Sequence, residues 1–184
     1  HAQMQETLLE ELSTTRRVRL HGQVAEALER RYGDRAEERA ARLALHFSEA
    51  ATLAPRFTEK AAHYAALAGC QALAQSAYPD AARHFRAALS AREGQEIDDA
   101  MAELLLDYAR ASYATAEGRE AWRATRQAFD HFERTGNVVL AVKAALVPPN
   151  AATEARTRML ERVLALVEEG SAEYGELNAS LGAV

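Results

Sequence analysis

The tightest limit on what this chain can fold into is a short series of side-chain sizes. Gly69 is followed twelve positions later by Ala81, four after that by Phe85, and three after that by Ala88. The last three sit on one face of a helix behind the Pro79 turn, within the stretch AYPDAARHFRAAL. Two helices come close only where side chains are small, and a ring beside such a crossing fills the space that remains. Forty positions on, Ala109, Ala121 and Ala128 repeat the small residues, with Thr125 standing where the ring stood. A pattern that recurs at this period points to stacked helical hairpins, each leaning on the next.

The rest of the chain agrees with an all-helical reading. Ala is the commonest residue, Gly and Pro number only 9 and 4, and no stretch alternates apolar with polar residues as a half-buried strand does. Leu8, Leu9 and Leu12 mark a first short helix, and Ser13 is an N-cap for a second. That second helix carries Val18, Val24, Ala25 and Leu28 as its apolar stripe and stops at Gly33. Asp34 is expected to cap a third helix, with Leu43, Ala44 and Phe47 on its buried face. After Pro55 a long helix runs through Tyr64, Leu67 and Leu73 to about Ser76, and Pro79 sits where a first helical position tolerates it best. Beyond the polar loop 94–98, Met101, Leu104, Leu105, Tyr108 and Ala109 lead a helix to a turn at Gly118, and its partner runs through Trp122, Phe129 and Phe132 to Gly136. Val138 to Val147 makes a short apolar helix ended by Pro148 and Pro149. Met159 through Val167 stripes another that stops at Gly170, and a last helix spans Ser171 to Leu181.

The spacing of Gly69, Ala81, Phe85 and Ala88 resembles the tetratricopeptide repeat. The stretch from His1 to about residue 90 also resembles the helical region that follows the nucleotide-binding module in bacterial STAND-type signalling ATPases. These include MalT-like and other LuxR-type transcriptional regulators, and relatives fused to nucleotide cyclases. The residues carrying the resemblance are Glu6, Leu8, Leu12, Ser13, Arg17, Leu20, His21, Ala27, Leu28 and Glu29, then Leu43, Ala44, His46 and Phe47, then Lys60, Ala61, Ala68 and Gly69. It implies an all-α, right-handed superhelix of antiparallel hairpins, with residues 1–33 as a helical lead-in and 34–184 as tetratricopeptide-like repeats in one continuous domain. It further implies a non-catalytic sensor module of a multidomain protein, LuxR-type for preference, that binds a protein or small-molecule effector and contacts neighbouring ATPase and output domains. A free-standing tetratricopeptide-like adaptor and the regulatory region of a nucleotide cyclase are the alternatives. The abrupt ends at His1 and Val184 lead us to expect a fragment, with self-association or fraying around 138–147 and 177–181 where repeats would be missing.

Several functions are disfavoured by the residues themselves. The net charge of −5 leaves no broad basic face for a phosphate backbone, and the cluster Arg16, Arg17, Arg19, Arg30 and Arg31 reads as a solvated helix face, so direct nucleic-acid binding is not expected. No apolar run approaches membrane-spanning length, and a single cysteine forms no internal disulfide, which makes the cytoplasm the expected compartment. The phosphate-cradling Gly-x-x-x-x-Gly-Lys-Ser/Thr loop is absent. Six histidines include no HExxH pair and the cysteine stands alone, so neither a metal nor any other cofactor is assigned. His21 and His46 are expected to pack or hydrogen-bond between helices, Cys70 to be a small buried thiol, and no catalytic residue is assigned. The candidate binding surface is instead the concave face of the hairpins: His63, Ala66, Cys70 and Leu73 in one unit, and Glu103, Leu106, Arg110 and Tyr113 at matching places in the next. Such a mixture suits a peptide or a small effector.

Overall fold

The computed structural model describes residues 13–115, 117–147 and 154–182. All regular structure among them is helical, with no strand. The expected helix around Leu8, Leu9 and Leu12 and the stop at Pro148 and Pro149 lie outside the described residues. In chain order the helices are α1 (Thr14–Tyr32), α2 (Ala40–Ala50), α3 (Pro55–Ala74), α4 (Tyr78–Ser90), α5 (Asp99–Ala114), α6 (Gly118–Thr135), α7 (Val138–Leu146), α8 (Glu154–Leu164) and α9 (Ala172–Gly182). Short 3₁₀ turns occupy Gly33–Arg39 and Ala51–Leu53. The chain forms two compact units, one of residues 13–75 with 83–94 and the other of 76–82 with 95–182.

Local chemistry accounts for most of the helix ends. Ser13 accepts a hydrogen bond from the Arg16 amide, and Asp98 accepts one from the Met101 amide at 2.8 Å, each satisfying a donor that the first turn leaves open. Gly136 closes α6 in the left-handed region at φ 74°, and the Asn137 amide reaches back to the Phe132 carbonyl at 2.8 Å. The Asn137 side chain then caps α7 through the Leu140 amide. One glycine and one asparagine thus end a helix and start another within two residues.

In the first unit α2 packs on both α1 and α3. Phe47 is fully buried, stacked on Tyr64 with ring centroids 5.6 Å apart and an interplanar angle of 3°, and it meets Phe57 at 5.9 Å. Gly22 lets α1 approach: a methyl group built there would lie 3.2 Å from Leu53 and 3.4 Å from Phe57. Gly69 does the same between α3 and α4, and a Cβ there would fall 2.5 Å from the fully buried Phe85 ring. The small residue with a ring wedged against it is therefore present.

In the second unit α5 packs on α6, α6 on α7, α7 on α8, and α9 on both α7 and α8. Ala109, Ala121 and Ala128 are all fully buried. Thr125 is buried too, its hydroxyl donating to the Ala121 carbonyl at 3.0 Å. Phe129, one turn along the same face, is fully buried as well.

Four local expectations need correction. Asp34 does not cap the helix of Leu43 and Phe47: it sits in the first turn of the 3₁₀ segment, and α2 begins at Ala40 with no side-chain cap. Val24 is 38% exposed, because close approach at Gly22 centres the contact stripe of α1 on Gly22 and Ala25 and turns Val24 about 100° away. The helix of Met159 ends at Leu164, six residues before Gly170, where the Leu166 amide tightens onto the Val163 carbonyl. The helix of Leu177 does not lack neighbours, since Leu177 is fully buried with α7 and α8 against its helix, although Val139 on α7 is 63% exposed.

Candidate functional site

In the first unit the surface stripe runs along α3. Residues at 61, 64, 65, 68 and 69 turn inward, which leaves His63 and Cys70 exposed and Ala66 and Leu73 half-buried on the opposite side. The His63 ring meets the edge of Tyr64 at 5.0 Å. Cys70 is not the buried thiol expected beside a glycine. Gly69 takes the crossing, and the next residue, about 100° round the helix, faces outward.

This face is anchored from beneath by Glu29 of α1. One carboxylate oxygen of Glu29 accepts from the Tyr64 hydroxyl at 2.8 Å and the other pairs with Lys60. Burial first, and then the Glu29 hydrogen bond and charge, push the Tyr64 phenol up to about 12. Arg56 reaches Glu26 at 3.2 Å while lying over the Phe57 ring, and Gln71 donates to the Glu37 carbonyl at 2.8 Å.

In the second unit the stripe lies on α5, and its composition differs from expectation. Glu103 and Arg110 are exposed and Tyr113 is half-buried, but Leu106 is only 5% exposed and belongs to the core. Asp107 takes the outward place and pairs with Arg110 at 3.6 Å. Burial raises the Asp107 carboxyl above its usual range, Arg110 opposes that, and Glu103 adds to it. The surface row is therefore Glu103, Asp107 and Arg110, charged rather than mixed.

Tyr113 marks the buried end of this helix. Its hydroxyl and that of Ser112 are enclosed and make no hydrogen bond of good geometry among the described residues. Burial lifts the Tyr113 phenol, with Thr125 and Arg156 acting the other way. Arg156 is itself only 3% exposed, and its enclosure lowers its affinity for the proton.

The polar link missed by inspection of the chain is His131 on α6. Arg134 can only donate, so its 3.2 Å contact makes His131 Nδ1 the acceptor. Nε2 then carries the proton and donates to Asp99 at 2.6 Å. Asp99 opens α5 and His131 stands near the end of α6, so the bond ties an antiparallel pair together at one end. Thirty-two residues separate the two, and no local pattern announces them. Both ring nitrogens are engaged, which suits a fastening rather than a proton relay.

The residues proposed for binding thus fall into two trios. His63, Cys70 and Leu73 share a face of the first unit, and Glu103, Arg110 and Tyr113 share a helix of the second. Among the described residues no group of three or more His, Cys, Asp or Glu side chains is placed to hold a metal ion. No helix among them is long and apolar enough to cross a membrane. No protein-family model, no curated protein and no solved structure matches this chain.

Proposed function

We propose that this chain is a non-catalytic regulatory module built from tetratricopeptide-like hairpins, which binds a protein or small effector on the outward faces of α3 and α5 and relays that binding to neighbouring domains. The observation that carries the reading is the Gly69–Phe85 crossing, with buried alanines at 109, 121 and 128 recurring at the same spacing. A hairpin closed by so narrow a crossing has few intermediate packings, so a ligand that favours one packing over another shifts that hairpin's equilibrium. A signalling protein of the LuxR-type or cyclase-fused kind, with an ATPase module before the hairpins and an output domain after them, would use such a relay.

The first test is the reading frame on either side of the chain. A Gly-x-x-x-x-Gly-Lys-Ser/Thr loop upstream supports the relay, whereas a start codon with a short leader supports the free-standing adaptor. In the relay case, replacing His63, Glu103 and Arg110 together by Ala in the longer protein changes its ATP turnover while leaving helix content by circular dichroism unaltered. Unchanged turnover counts against those faces as the input site.

A further inference from the structure

We propose that His21 and His46 form a proton-operated latch between α1 and α2, closed while one imidazole is neutral and released when both are charged. The two Nδ1 atoms lie 3.3 Å apart, with ring centroids at 5.1 Å, and both rings are half-buried. A contact between two imidazole nitrogens holds only if one carries a proton and the other offers its lone pair. With both rings protonated, two N–H groups and two positive charges face each other, and attraction becomes repulsion.

The surroundings reinforce that sign. Burial is the largest influence holding His46 below the ordinary 6.5, His21 and Arg42 add to it, and Glu49 opposes them. On α1, Arg17 stands one turn before His21 and supplies no counter-charge. The 3₁₀ segment Ala51–Leu53 carries no ionisable side chain. The charges of Gly33–Arg39, namely Asp34, Arg35, Glu37, Glu38 and Arg39, are on exposed residues. From α3, Arg56 and Lys60 are engaged by Glu26 and Glu29, further along α1. Since His46 holds its proton less tightly when folded than when unfolded, the α1–α2 pairing is at full strength above about pH 6.5 and is lost as pH falls through the depressed value.

The pair has leverage because α1 is thinly held. Of its 19 residues only Gly22 and Ala25 are buried, and neither supplies much apolar area. The polar ties from Glu26 to Arg56 and from Glu29 to Lys60 and Tyr64 belong to the C-terminal half of the helix and involve neither histidine. Mild acid therefore frees the N-terminal half of α1 and leaves its C-terminal half docked. This inference is independent of the regulatory role proposed above.

Amide exchange on the full chain at pH 7.5 and 5.5, with a chelator present and intrinsic exchange rates corrected, tests the latch. The expected result is a loss of protection at amides 18–25 at the lower pH, with amides of α6 unaffected. His21→Asn keeps a hydrogen-bonding group near the Nδ1 position and cannot be charged, so its α1 protection should be the same at both values. An NMR titration of the two imidazoles in the wild-type chain gives an answer even if that variant folds poorly. It should show one ring protonated at Nδ1 and the other not, and should show α1 resonances moving with the second protonation. Equal protection of the wild type at both pH values, an undiminished pH response in His21→Asn, or both rings charging with α1 in place would each overturn the proposal.

Discussion

The two compact units meet the same packing demand with different residues. In the first, a glycine at position 69 leaves no slack, because even a methyl group would overlap the Phe85 ring. In the second, position 109 carries an alanine, Thr125 stands forty positions after Phe85, and Phe129, one turn further along, is fully buried. The polar ties differ as well. In the first unit Glu29 takes both Lys60 and Tyr64 and a histidine pair joins α1 to α2, whereas the second links Asp99 to His131 and Arg162 to both Glu133 and Asp130. Arg162 also lies 5.0 Å over the Phe129 ring, a cation–π contact on a buried ring.

The sharpest way to break this comparison is to remove the rings. Phe85→Ala and Phe129→Ala should each cost about 3–5 kcal/mol in chemical denaturation, because both side chains are fully enclosed. If Thr125 rather than Phe129 held the second crossing open, Thr125→Ala would match Phe129→Ala. We expect it to cost only about 1 kcal/mol.

Next in size is the crossing itself. Gly69→Ala should destabilise by about 1–3 kcal/mol through overpacking, and Phe85→Leu in the same chain should recover part of the loss. The reverse change in the second unit, Ala109→Gly, should cost about 1 kcal/mol by loosening the helix. A stabilised Gly69→Ala variant would show that the Phe85 ring gives way freely and that the two crossings are equally tolerant.

The smallest expected effect sharpens the contrast in polar ties. Glu29→Gln removes the charge that holds Lys60 and Tyr64, at a cost of about 1 kcal/mol for a half-buried hub. Spectrophotometric titration should show the Tyr64 phenol falling from about 12 toward its ordinary 10.0 without reaching it, because burial, the largest cause of the rise, persists. No movement of that titration would mean that Glu29 does not govern the Tyr64 environment.

What could be read along the chain was what neighbouring residues settle among themselves. Ser13, Gly33 and Gly136 mark helix ends because caps and positive φ act within one turn. The inward residues Leu43, Phe47, Phe85, Phe129 and Phe132 follow from helical spacing, and all five are fully buried. Tertiary packing decided the rest. Close approach at Gly22 rotated Val24 into solvent, and the register between α5 and its neighbours buried Leu106 and left Asp107 half-buried. Only an antiparallel fold could bring Asp99 to His131, or His46 to His21. Helical periodicity says which residues share a face, but which way that face points is set by how near the next helix can come, and that distance depends on side chains far away in the chain.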